Sequence, residues 1–265
     1  MQALGRLAEA EAAFARAIAL HPAYAEAYCA RANLRRAQGQ TEAAAANFRT
    51  AIEQNPRLAI AWCGLGNLQA EQHRADEAIA AYLRAIELNP RLAEAHDNLG
   101  SLYAELGRTD DALAAARQLI RLFPARAEYW QRFADRLRGV RVAEPDGPLM
   151  AEIQRCLGVP GIDVEPLVPA ALSLLAIAAP FAALLSATAE PAGDNEAGVL
   201  TPAAMTLLQH PLLLALLPRA PLVDLGFERL LTRARQTLLS LLISGGPDAT
   251  GKPTLFALAA ALAQQ

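Results

Sequence analysis

Cysteine, histidine, lysine and aromatic residues are all scarce in this 265-residue chain, and each shortage excludes something. The three cysteines (Cys29, Cys63, Cys156) form no CxxC pair. An odd, scattered set suits a reducing cytoplasm and not a disulfide framework. The four histidines (His21, His73, His96, His210) form neither HxxxH nor HExxH, so no metal and no other cofactor is expected. With aromatics at 5%, the core must be built from Ala and Leu, which favours closely spaced helices over a β-sandwich. Lys252 is the one lysine, and the formal net charge is −3. No basic tail or patch invites nucleic acid or an anionic membrane.

Charge is missing altogether from residues 166–189, a stretch long enough to span a bilayer. Pro169 and Pro180 interrupt it, acidic residues flank it (Asp163, Glu165, Glu190, Asp194), and no Arg, Lys, Trp or Tyr anchors its ends. Two buried helices broken at Pro180 are expected, with no membrane association. Met1 leads into an amphipathic helix and not into a signal peptide.

What the chain has is a period. Pro22, Pro56, Pro90 and Pro124 stand 34 residues apart. In the same register run Ala10, Ala44, Ala78 and Ala112; Ala17, Ala51, Ala85 and Leu119; and Ala32, Gly66, Gly100 and Ala134. Phe14, Phe48 and Tyr82 form an aromatic column that Ala116 continues, and Tyr28, Trp62, His96 and Trp130 form another. Gly5, Gly39 and Gly107 form a third, in which His73 is the exception. The prolines stop one helix of each unit, the glycines suit the left-handed residue closing the other, and the small columns let helices approach. The pattern predicts helices near 7–20, 25–38, 41–54, 59–72, 75–88, 93–106, 109–122 and 127–138, stacked as hairpins because none is stable alone. Gly5 is expected to close the tail of an incomplete first helix, with the native chain beginning further upstream.

Trp62-x2-Leu65-Gly66 with Ala78-x3-Tyr82 and Pro90 resembles the tetratricopeptide repeat (TPR) family, and Leu99-Gly100-x2-Tyr103 repeats the first part. The resemblance covers residues 1–138 and implies an all-α helical-hairpin solenoid. It also implies a concave groove for a protein or peptide, lined from the first helix of each unit. Its residues here are Glu26, Cys29, Asn33, Arg36, Asn67, Glu71, Glu94, Asp97, Asn98, Ser101 and Glu105. Asn33 and Asn67 share a register, and amides that donate and accept can hold a peptide backbone. The basic clamp by which some TPRs take a C-terminal carboxylate is absent: Cys29, Gly64, Glu94 and Asn98 stand at its places. Acidic residues outnumber Arg36, so a basic or neutral polar segment is the expected partner.

Residues 139–148 (GVRVAEPDGP) read as a linker, and 149–265 as a smaller non-repeat helical domain packed against the last hairpin. Its helices are expected near 149–157, 167–178, 181–188, 202–208, 211–217, 223–243 and 254–264, with polar loops at 190–198 and 244–253. The run PLLLALLPRAPLVDLGFERLLTRARQTLLSLL is similar to a segment of bacterial TPR proteins that carry a class I S-adenosylmethionine-dependent methyltransferase domain further along. That resemblance implies the non-catalytic recognition region of a larger protein. A stand-alone adaptor, or an array preceding a glycosyltransferase, are the alternatives.

No catalytic site assembles from the sequence. Gly246-x4-Gly251-Lys252 nearly spells a phosphate-binding loop, but Pro253 replaces the Ser or Thr that would hold magnesium. Cys29 and Cys63 occupy equivalent places, with Asp97 next in the series, and read as small residues in a wall and not as metal ligands. Asp110 and Asp111 beside Thr109 read as helix-capping residues.

Overall fold

Alanine-rich segments of 13 and 14 residues, punctuated by the prolines, fold as antiparallel helix pairs. The structure, a computed structural model, describes residues 2–177 and 210–216. The expected helices at 181–188, 202–208, 223–243 and 254–264, both polar loops and the Gly246–Lys252 motif lie outside the described residues. The chain divides into two units, Met1–Pro124 and Ala125–Gln265.

The first unit holds α1 (Gln2–Leu20), α2 (Ala25–Ala37), α3 (Thr41–Gln54), α4 (Ala59–Glu71), α5 (Ala75–Leu88), α6 (Ala93–Glu105) and α7 (Thr109–Leu122). Helices α2 and α3, α4 and α5, and α6 and α7 are the hairpins, while α2, α4 and α6 also touch one another in sequence. The expected break at Gly5 does not occur, because α1 runs through it from Gln2. Glycine in a helix interior costs only about 1 kcal/mol, so Gly5 by itself does not break the helix.

Each hairpin closes with the same geometry. Gly39 and Gly107 sit at φ +73° and +71°, and His73 takes the same left-handed conformation at +58°. Around His73, its N–H donates to Ala70 O at 2.9 Å and Arg74 N–H to Gln69 O at 2.9 Å. The equivalent pairs recur at Gly39/Gln40 and Gly107/Arg108, the Schellman pattern that satisfies helix-end carbonyls. The other helix of the first two pairs ends at Asn55 or Asn89, whose Oδ1 accepts from the N–H of Arg57 or Arg91 at 3.1 Å across the proline. Trp62 Nε1 then donates to Pro56 O at 3.0 Å, and His96 Nε2 meets Pro90 O at 2.9 Å. His96 thus does the work of the indole it replaces.

The small columns mark real contacts. A Cβ on Gly64 would lie 2.3 Å from the Phe48 ring, and one on Gly66 would lie 2.7 Å from the Tyr82 ring. Helix α4 is therefore gripped by aromatics from α3 and α5. Phe48, Ala44 and Ala51 are fully buried in one core cluster, and Tyr82, Ala78 and Ala85 occupy the next. The expected capping role of Asp110 and Asp111 does not hold. Arg108 is the N-cap and no side chain caps α7. Asp111 instead pairs with Arg108 at 2.7 Å, and both carboxylates lie in the first turn, where the helix dipole favours them.

The second unit contains α8 (Ala127–Arg136), α9 (Gly147–Leu157), a 3-10 turn (Glu165–Leu167), α10 (Val168–Ile177) and α11 (Pro211–Leu216). Asp146 caps α9, accepting from Leu149 N–H at 2.8 Å. Cys156 Sγ lies 3.5 Å from Trp130 O, tying α9 to α8. Helix α8, in register with the repeats by its sequence, groups with this unit. Among the described residues every regular element is helical, and no helix is long and apolar enough to cross a membrane.

Candidate functional site

The first helices of the three hairpins, α2, α4 and α6, turn their polar stripes toward a common groove of about 390 Å³. Seven of the residues expected from the sequence line it: Arg36 from α2; Asn67 and Glu71 from α4; and Glu94, Asn98, Ser101 and Glu105 from α6. Their 34-residue register on helices of equal length brings them together. Glu26 and Asn33 are exposed and Asp97 is half-buried, all outside this lining. Cys29 is a correction. It is 1% exposed, inside the core with Ala32 and Phe48, and offers the groove nothing.

Three lining residues were not expected: Ala70, Leu102 and Tyr82. Tyr82 stands in a column read as filler, on the second helix of its hairpin. Its ring does fill the space over Gly66, but its hydroxyl reaches through to the groove and donates to Asn67 Oδ1 at 2.9 Å. The available signal was the replacement of Phe by Tyr in an otherwise apolar column.

The polar groups are interlocked. Arg36 Nη1 pairs with Glu71 Oε1 at 2.6 Å, bridging α2 and α4. Asn67 bridges α4 and α6: its Nδ2 donates to Glu94 Oε1 at 3.1 Å, and its Oδ1 accepts from Asn98 Nδ2 at 2.7 Å. Arg36 Nε is buried without a hydrogen-bond partner. Burial, followed by the nearby Cys63 thiol, pushes the Tyr82 phenol well up, so it remains a donor at neutral pH.

The two in-register cysteines are inert. Burial, with Glu26 and then Glu94 adding to it, raises the Cys29 thiol to about 11. Burial, with Glu94 next, raises Cys63 to about 12. Both stay protonated at neutral pH, the opposite of a reactive or metal-binding thiolate. Among the described residues no group of His, Cys, Asp and Glu is placed to hold a metal ion.

Stacked hairpins with interlocking Gly–aromatic contacts and a polar stripe on one helix of each pair define a helical-repeat scaffold. Family profiles described as tetratricopeptide repeat match residues 29–93 and 98–131, and another of the same description matches 81–114. Over that stretch the chain carries repeated helix-hairpin units that match the TPR profile. No curated protein matches it. Among solved structures, MamA is 23% identical with a TM-score of 0.46, covering 52% of this chain and 81% of its own. YrrB, described as a TPR protein with an unusual peptide-binding site, is 22% identical with a TM-score of 0.48, covering 61% and 81%. PilF of Pseudomonas aeruginosa is 20% identical with a TM-score of 0.49, covering 59% and 68%. At these values none carries a functional argument, and none of those named links the chain to a methyltransferase or a glycosyltransferase.

Proposed function

We propose that this chain is a protein-interaction scaffold that holds an extended partner segment in the groove across α2, α4 and α6. The observation that carries the reading is the groove itself, where three successive repeats contribute polar side chains to one concavity of about 390 Å³. Such a surface offers hydrogen bonds spaced along a strand-like ligand, with Ala70 and Leu102 as its apolar floor. The role stands independently of any attached enzyme. The stand-alone adaptor is its simplest form, and methyltransferase association rests only on the Leu-rich resemblance. The unbridged, buried thiols Cys29, Cys63 and Cys156 support a cytoplasmic setting.

Site-specific photocrosslinking tests the proposal. A photoreactive residue at Ser101, in the groove, should give discrete crosslinked species in cells. The same residue at Ala80, exposed on α5 and away from the groove lining, should not. Equal yields at both positions, or none at Ser101, would overturn it.

A further inference from the structure

We infer that Asn67 serves as a positioning residue whose amide oxygen is closed to the partner, and that the α4–α6 side of the groove takes a cationic side chain of the bound segment. This deepens, and rests on, the peptide-binding reading above.

The Asn67 amide has little left to offer a ligand. Its Oδ1 accepts from both Tyr82 Oη, at 2.9 Å, and Asn98 Nδ2, at 2.7 Å, which uses both lone pairs. Its Nδ2 donates one N–H to Glu94 Oε1 at 3.1 Å, so a single N–H lies outside the network. Rotating the amide would set its NH2 against that of Asn98 and its oxygen against a carboxylate, so this network dictates its orientation. An asparagine column gripping a peptide backbone is thereby interrupted at this repeat.

What Asn67 holds in place is a row of acceptors. With Asn98 Nδ2 engaged by Asn67 and one Glu94 oxygen accepting from it, Asn98 Oδ1 and the second Glu94 oxygen remain for a ligand. Glu105 adds a carboxylate on the same helix, and Glu71 adds one on α4. The guanidinium in the lining, Arg36, is already paired with Glu71 at 2.6 Å. The groove is thus polarised, with the paired guanidinium at the α2 edge and acceptors with excess negative charge on the α4–α6 side. Ala70 and Leu102 give an apolar wall for the methylenes of an Arg or Lys stem. The ligand that matches is a multi-donor cation, with guanidinium the better fit to carboxylates and an amide oxygen set side by side.

The test uses the full chain and three labelled, end-blocked heptapeptides: six alanines around a central arginine, citrulline or glutamate. Citrulline keeps the shape of arginine and removes its charge. The arginine peptide should bind about tenfold tighter than the citrulline peptide at low ionic strength, and the gap should narrow at physiological salt. Tyr82→Phe keeps the ring over Gly66 but removes the hydroxyl that orients Asn67. It should shrink the arginine-to-citrulline ratio, with a cooperative circular-dichroism melt showing that the variant is folded. Glu94→Gln, which still accepts from Asn67, should shrink the ratio as well. If citrulline or glutamate binds as well as arginine, or if Tyr82→Phe leaves the ratio intact, the inference fails and the peptide-binding reading survives. If none of the three peptides binds, the inference fails, and the Ser101 crosslinking decides the peptide-binding reading separately.

Discussion

His73 occupies a backbone conformation that Gly39 and Gly107 adopt in the neighbouring repeats, at φ +58° against +73° and +71°. A left-handed L-residue costs about 1–2 kcal/mol, partly offset by the greater unfolded-state freedom of glycine. His73→Gly should therefore stabilise the protein by roughly 0.5–1 kcal/mol, read as a rise in urea midpoint at unchanged slope. The thiols make a second prediction. Cys29 and Cys63 ionise ordinarily at 9.0 but at about 11 and about 12 in the folded chain. Between those values the folded state keeps protons the unfolded state has released, so stability falls as pH rises through that window and is level below it. Urea titrations at neutral and alkaline pH should show that decline, and a Cys29→Ala/Cys63→Ala variant should show less of it. These residue-scale features were partly legible. His73 stood out as a non-glycine in a glycine column, whereas the doubly engaged amide oxygen of Asn67 depends on a hydroxyl from a different helix, which no spacing rule encodes.

At the scale of elements, α4 is the most tightly held helix, with Phe48 against Gly64 and Tyr82 against Gly66. Gly64→Ala should cost about 1–3 kcal/mol, since its Cβ would lie 2.3 Å from a fully buried ring. Gly147→Ala, with nothing within 4 Å, should cost far less, and thermal melts of the two variants make the comparison. Helix boundaries were legible to within a residue or two from α2 through α8, because proline and left-handed turns act locally and recur at one spacing. Gly5 misled for the same reason. A glycine marks a turn only where its backbone takes the left-handed conformation, as at Gly39 and Gly107, and a helix interior also tolerates it. Cys29 misled differently, because position within a repeat does not distinguish a side chain entering the groove from one entering the core.

For the whole molecule, the repeat columns are not equally protected. Ala10, Phe14 and Ala17 on α1 are only partly buried, although their counterparts on α3 and α5 are almost wholly enclosed. Hydrogen exchange should therefore be fastest in α1 and slowest in α4 and α5, with α1 opening while the later hairpins stay closed. Uniform exchange across α1–α5 would mean that the array unfolds as one block.

The asparagines closing α3 and α5 also bear on how the protein ages. Asn55 and Asn89 each lie in an exposed turn region of the kind where deamidation usually begins. Deamidation proceeds when the following backbone nitrogen attacks the side-chain amide to form a succinimide ring. Here that nitrogen belongs to Pro56 or Pro90 and carries no hydrogen. The residues that stop each helix thus also shield its capping asparagine from this chemical damage, and both turns should outlast ordinary asparagine turns over prolonged storage.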